Sequence, residues 1–350
     1  MRRLPVYFLI DVSESMVGEP IKQVEDGMRS IIQELRSDPY ALETVFASVL
    51  AFAGKAKVLS PLTELYKFYP PIFPVGGGTS LGNALNFLMD DLDRNIRKTT
   101  AEVKGDWKPI IFLFTDGVPT DDPSKAIDRW NRNYRHGCSL IAVSLGNNAD
   151  TALLGRLTEN VLRLSKTDPH SFSEFFRWVT ASVKTSSVSV CESSNDEIRL
   201  PSTGSINLEK VSPAESARPD ENFAVVIGKC QTTGKPYLIK YAKRLSELGI
   251  EDSSGASPDD YKLVGAYPID EASYNELSDG SLESPKVNTM SLIGQPACPC
   301  CGNQYGFVVC QCGHIFCAGR DGRCKCPWCG MEGELSDGPA GGMDVTRTRG

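Results

Sequence analysis

The chain has 350 residues, 41% of them hydrophobic and 23% charged, with a formal net charge of −7. That length holds two or more domains, and the composition is that of an ordinary soluble globular protein. The acidic balance argues against nucleic acid or an anionic membrane surface as the main partner, and no apolar run reaches the roughly 18 residues of a spanning helix.

The N-terminal MRRLPVYFLID places two arginines ahead of apolar residues. The run stops at Asp11 with no small-residue cleavage site after it, so it reads as a first strand and the chain is expected in the cytoplasm. Ile21, Val24, Met28, Ile31, Ile32 and Leu35 then fall on one helix face, with Pro20 at the helix start where proline is tolerated. ETVFASVLAFAG and KAKVLSPL predict two strands joined by a short turn. Leu81, Ala84, Leu85, Leu88, Met89, Leu92 and Ile96 predict a second amphipathic helix. KPIIFLFTD and CSLIAVSLG are continuous apolar runs, the pattern of strands covered on both faces. Helices are expected from Pro123 to Tyr134, in DTALLGRLTEN and in SFSEFFRWVTASV, the last two flanking a short strand VLRLS. Alternating strands and helices predict an α/β fold: a doubly wound, mostly parallel sheet with one early antiparallel hairpin.

Composition changes near Thr185. Residues 186–221 are rich in Ser, Glu, Asp and Pro and read as a linker. NFAVVIGKC and PYLIKYA predict two strands across a TTGK turn, and YKLVGAYPI a third, opening a second, small β-rich domain over 222–333. Residues 334–350 read as a disordered tail. The first domain then covers 1–185.

Three loops of the first domain reach the carboxyl edge of such a sheet, where doubly wound folds bind ligands. They are DVSES, VGGGTSLG and FTDGVPTDD, and they bring Asp11, Ser13, Ser15, Thr79 and Asp116. All five offer oxygen, which suits a hard cation such as Mg2+, Mn2+ or Ca2+ rather than zinc. With only two carboxylates among the donors, the ion would stay electrophilic and accept a carboxylate from a protein partner. Asp121 and Asp122 read as solvated or outer groups. DVSES, GGGTS and FTDG, in that order on these elements, resemble a von Willebrand factor A domain with its metal-ion-dependent adhesion site. The resemblance spans about Leu4 to Val183 and implies protein–protein contact without catalysis. Other chemistries lack a residue. A phosphate loop would need a lysine after GGGTS, and an aspartyl phosphatase a second acid where Ser13 stands.

Nine of the 12 cysteines lie between Cys298 and Cys329. In a reducing compartment that density means metal rather than disulfides. Cys298-x-x-Cys301 and Cys326-x-x-Cys329 both have the form C-P-x-C-G, the thiolate knuckle of a zinc site. Cys310, Cys312, His314, Cys317 and Cys324 lie between them as further donors, leaving one or two Zn2+ open. CGHIFC resembles the centre of a RING finger. That resemblance implies one zinc on Cys298, Cys301, Cys317 and Cys324 and another on Cys312, His314, Cys326 and Cys329, with Cys310 able to replace His314 or Cys324. It departs from the pattern at Arg320, where a cysteine would stand. Cys300 reads as a bystander, Trp328 as packing over a knuckle, and Cys138 as core.

The order of modules, with VNTMSLIGQPACPCCGNQYGFVVCQCG, resembles the bacterial TerY-type proteins of tellurium resistance and related stress systems. That resemblance implies a C-terminal metal-binding domain and action beside a Ser/Thr protein kinase and a PP2C-type phosphatase. It also makes Ser193, Ser194, Ser202 and Ser212 candidates for phosphorylation. The competing class is an enzyme, either ubiquitin-ligase-like or a metal-dependent phosphatase, for which no complete catalytic set is present.

Overall fold

A computed structural model describes residues 2–145, 149–164, 169–192, 208–210, 223–243, 260–280, 285–319, 322–336, 338–339 and 341–348. Arg320 and the linker serines Ser193, Ser194, Ser202 and Ser212 lie outside the described residues.

The first domain runs β1 (Leu4–Asp11), α1 (Glu19–Arg36), α2 (Pro39–Thr44), β2 (Val45–Phe52), β3 (Ala56–Glu64), α3 (Leu81–Asn95) and β4 (Ile110–Thr115). It continues with α4 (Ser124–Asn133), β5 (Ser139–Leu145), α5 (Thr151–Leu157), β6 (Val161–Leu164), α6 (Pro169–Glu192) and β7 (Leu208–Lys210). The sheet order is β3-β2-β1-β4-β5-β6-β7. Pairing is parallel from β2 through β6, with β3 and β7 antiparallel at the two edges. This is the doubly wound sheet and early hairpin that the sequence predicts.

Strand alternation divides the core into two layers. Val6, Phe8 and Ile10 face α1 and α6, where Phe8 stacks on Phe112 at 5.7 Å. Tyr7 and Leu9 face the other way, onto the buried stripes of α3 and α4. Every residue of β1 and of β4 is buried, as an apolar run requires when helices cover both faces. Chain order reverses direction between β1 and β4, so their carboxyl ends flank the switch-point crevice.

The second domain contains β8 (Phe223–Lys229), β9 (Pro236–Ala242), β10 (Tyr261–Pro268), α7 (Glu271–Leu277), β11 (Lys286–Asn288), β12 (Leu292–Ile293), β13 (Val308–Val309) and β14 (Ile315–Phe316). It ends with β15 (Arg323–Lys325), β16 (Glu332–Glu334) and β17 (Asp344–Thr346). Six strands form one sheet in the order β12-β10-β9-β8-β14-β13, beside the ribbons β11–β17 and β15–β16.

Two boundaries differ from expectation. Helix α6 continues to Glu192, seven residues past the expected end of the domain. Within it the Ser182 and Ser186 hydroxyls are satisfied by donating back to the carbonyls of Trp178 and Ser182, at 2.8 Å each. β7, within the expected linker, pairs with β6 and completes the first sheet. The expected disordered tail is ordered in part. β17 pairs with β11, Val345 is buried in the second domain's core, and the Thr348 amide donates to the Val225 carbonyl at 2.8 Å. One apolar residue and a free strand edge suffice to hold a segment whose composition reads as tail.

Candidate cation site and thiolate clusters

β1 carries Asp11 to the sheet edge, and a 3-10 turn over Glu14–Met16 follows at once. Asp11 Oδ1 accepts the Ser13 amide at 3.0 Å, and its Oδ2 accepts the Thr115 hydroxyl from the end of β4 at 2.6 Å. The Ser13 and Ser15 hydroxyls are 3.0 Å apart, and Ser15 Oγ donates to Asp116 Oδ1 at 2.8 Å. The glycine loop is pinned from both sides. The Gly76 amide donates to the Val12 carbonyl at 2.9 Å, and the Gly54 amide to the Gly77 carbonyl at 2.8 Å. Gly78 has φ +86°, a left-handed value that glycine adopts without strain. Thr79 follows, and a Cβ at Gly117 would lie 3.5 Å from Thr79 Oγ1. The structure thus brings all five expected oxygen residues to one place, and none is more than 7% exposed.

Their chemistry fits a divalent cation. Thr79 Oγ1 is buried without a hydrogen-bond partner, an orphan that a cation would satisfy. Burial pushes Asp116 up to about 7, with the Asp11 charge adding to the rise and Lys240 opposing it. Burial also pushes Asp11 up to about 6, against the hydrogen bonds from Thr115 and Ser13. Two desolvated carboxylates beside three hydroxyls favour Mg2+, Mn2+ or Ca2+ over a thiophilic metal. Asp121 has another role: its two oxygens accept the Gly82 and Asn83 amides at 3.2 and 3.1 Å, capping α3 from outside the helix.

Glu14, the acid between the two serines, is a residue that sequence reasoning left without a role. Its side chain is buried. Oε2 accepts the Gly78 amide at 3.0 Å, and Oε1 accepts the Tyr274 hydroxyl of the second domain at 2.6 Å.

The thiols gather in two groups, Cys230, Cys298, Cys301 and Cys317, and Cys310, Cys312, Cys326 and Cys329. In each group the four sulfurs lie within 4.8 Å of one another, the spacing a tetrahedral metal requires. Burial raises Cys298, Cys310, Cys312 and Cys317, the second and the last to about 12 each. Each group also holds one easily ionised member. At Cys230 burial opposes the thiolate, but hydrogen bonds from Thr233 and Thr232 bring it down to about 7. The Met331 amide does the same at Cys329. Membership differs from the RING allotment by two exchanges, Cys230 for Cys324 and Cys310 for His314, the second a replacement the sequence allows. Cys324 belongs to neither group; its sulfur faces the Gly322 carbonyl at 3.9 Å. His314 stacks on Trp328 at 4.8 Å between ring centres, and Cys310 stands where histidine was expected. The two C-P-x-C knuckles serve different groups rather than one metal.

Cys230 is the residue missed, and a signal for it exists. Three turns share one hydrogen-bond pattern, starting at Cys230, Cys298 and Cys326. In each, the glycine four residues on donates to the cysteine carbonyl at 2.8 Å. The cysteine amide in turn donates to the carbonyl of Lys235, Asn303 or Met331. The glycines Gly234, Gly302 and Gly330 all have φ between +71° and +78°. CQTTG is therefore a knuckle of the same shape as CPCCG and CPWCG, with Thr233 in place of the second cysteine.

Residues 6–176 match the von Willebrand factor type A domain, the class that this sheet and its edge loops define. Residues 220–350 match the TerY-C metal binding domain. The chain therefore has the TerY-type architecture, one domain of each kind in that order. Among curated proteins, inter-alpha-trypsin inhibitor heavy chain H6 of Homo sapiens is 27% identical over 159 residues, 44% of this chain and 12% of that protein. Heavy chain H2 of Sus scrofa is 28% identical over 165 residues, 44% of this chain and 17% of that one. The chain spans less than a fifth of these relatives. Among solved structures, a von Willebrand factor type A protein from Catenulispora acidiphila overlaps 77% of this chain and 66% of its own, at 15% identity and TM-score 0.39. Proximal thread matrix protein 1 of the mussel byssus overlaps 52% of this chain and 48% of its own, at 17% identity and TM-score 0.38. Likeness at these scores adds nothing to the assignment.

Proposed function

We propose that this protein is a binding and scaffold protein that docks a partner carboxylate through a divalent cation held by Asp11, Ser13, Ser15, Thr79 and Asp116. The observation that carries this reading is the orphaned Thr79 hydroxyl among buried oxygens that hold two acids. When bound, the cation would supply a Lewis-acid position open to one more oxygen ligand. The protein's part is to orient the donors: Thr115 fixes Asp11, Ser15 fixes Asp116, and the glycine loop presents Thr79. Zinc in both thiolate groups would hold the second domain together. Their cysteines interleave along the chain, as in a cross-braced finger, but the ligands depart from the RING allotment, which weighs against the ubiquitin-ligase alternative. A phosphatase would need a second acid at the Ser13 position.

The TerY-type architecture further supports a place in a bacterial tellurium-resistance or stress system, in the cytoplasm, with a Ser/Thr kinase and a PP2C-type phosphatase as partners. Among the described residues no helix is long and apolar enough to cross a membrane. The test is capture of such a kinase and phosphatase by the full chain in Mn2+, compared with Asp116→Ala. A chelator is the poorer control because it would also strip the thiolates. Capture that survives Asp116→Ala undiminished would remove the cation from the account.

A further inference from the structure

The five oxygen residues are almost wholly buried, and the second domain is laid against two of the segments that carry them. Lys240 of β9 is buried; its ammonium donates to the Ser15 carbonyl, and to the Val17 carbonyl at 3.2 Å. Tyr274 of α7 donates to Glu14. Ser278 accepts the Gly77 amide at 2.8 Å, and the Leu277 carbonyl accepts the Lys55 amide at 2.7 Å. The Leu277 side chain joins the first domain's core, and Val225 and Leu238 pack on Val17. These contacts fall on the DVSES turn and the glycine loop, two of the three segments that supply the cation's oxygens.

The seam includes single polar latches, Lys240 and Tyr274, and beside them an open pocket of about 380 Å³ lined chiefly by the second domain, with Glu14, Gly77 and Gly78 at its first-domain edge. Domain interfaces held in part by polar contacts part more readily than a continuous apolar core.

Resting on the docking reading above, we propose that the second domain is the resident, autoinhibitory occupant of the cation site's outer face. Tyr274 and Lys240 latch it onto the DVSES turn, and a partner carboxylate reaches the ion only when the latch opens. A carboxylate ligand must come within about 2.0–2.6 Å of such an ion, and with the donor residues at most 7% exposed the closed arrangement leaves a partner carboxylate little surface to approach. Glu14 thereby gains a role: it ties the glycine loop and the second domain to the same turn.

The test compares full-length wild type with the Tyr274→Phe/Lys240→Met double variant, and with Tyr274→Phe alone in case the double variant folds poorly. Amide hydrogen exchange of Glu14–Met16 and Gly76–Thr79 is measured, with the β4 amides as the internal standard for an intact fold. Displacement of bound Mn2+ by excess Mg2+, which leaves the thiolate groups loaded, is followed in parallel. In the variants, exchange at both segments and Mn2+ release should each rise about tenfold or more, with β4 and the Mn2+ stoichiometry unchanged. Unchanged exchange at the turn and loop would overturn the latch while leaving docking intact. Mn2+ bound by neither protein, with exchange responding as expected, would instead defeat docking and leave the closure standing.

Discussion

Replacing Cys230 with serine separates the thiolate groups seen here from the allotment the RING resemblance implies. Cys230 is buried in the turn between β8 and β9, with its sulfur 3.8 Å from that of Cys317. A structural zinc on four thiolates contributes about 10–16 kcal/mol, so one ligand of four is worth roughly 3 kcal/mol. That is on the order of a hundredfold in zinc affinity. Cys324→Ser removes a thiol of similar burial that faces only a carbonyl, and should leave both metals as tightly held as in wild type. The assay is elemental analysis after graded chelator competition. Wild type and Cys324→Ser should retain two zincs per chain, one for each group. Cys230→Ser should lose one of them at about a hundredfold lower chelator strength. Loss of zinc from Cys324→Ser with none from Cys230→Ser would refute the grouping.

Thr79→Val is nearly isosteric and removes the orphaned buried hydroxyl. Without cation the variant should melt at the wild-type temperature or slightly above, by about 1 kcal/mol at most, while Mn2+ affinity falls at least about tenfold. Asp11 and Asp116 are raised by burial to about 6 and about 7, so between their unfolded value of 3.8 and those values the folded chain binds more protons than the unfolded one. Cation-free stability should therefore fall as pH rises from 5.5 to about 7.5, and the melting-temperature gain from Mn2+ should grow over the same range; differential scanning calorimetry reads both. Gly27→Ala places a methyl 2.0 Å from the Phe176 ring where α1 meets α6. The strain, about 1–3 kcal/mol, should outweigh the roughly 1 kcal/mol gain in helix propensity, and a raised melting temperature would show that α6 yields freely.

The first domain was legible because its central strands are buried on both faces and so are written as unbroken apolar runs, two of them, β1 and β4, ended by an acid. The five oxygen residues of its candidate cation site were legible because oxygen types recur at the strand tips. What stayed hidden depends on distant chain. Glu14 and Tyr274 stand 260 residues apart, and nothing near either one announces the other. Leu277 lies in a stretch to which the sequence assigns no element, although its side chain completes the opposite domain's core. Cys230 was passed over because Thr233 occupies the position that makes a knuckle recognisable, while the glycine that shapes the turn was present. The tail misled for a related reason: composition averages over a segment, and the segment's place is decided by Val345 and a few backbone hydrogen bonds.

One hairpin touches two of the three candidate metal centres. At its turn, Cys230 closes the first thiolate group against Cys298, Cys301 and Cys317. Lys240 lies four residues into β9, roughly 13 Å along the strand from Pro236, and reaches the Ser15 carbonyl at the cation site. The two strands are paired along their whole length, from Phe223 with Ala242 to Lys229 with Pro236, so the hairpin moves as a unit. β8 and β9 are inner strands of the six-stranded sheet, flanked by β14 and β10, and a metal on Cys230 would add a clamp at their turn to the surface formed by Lys240, Leu238 and Val225. The thiolate group at one end of the hairpin thus stiffens the surface that the other end lays over the oxygen site.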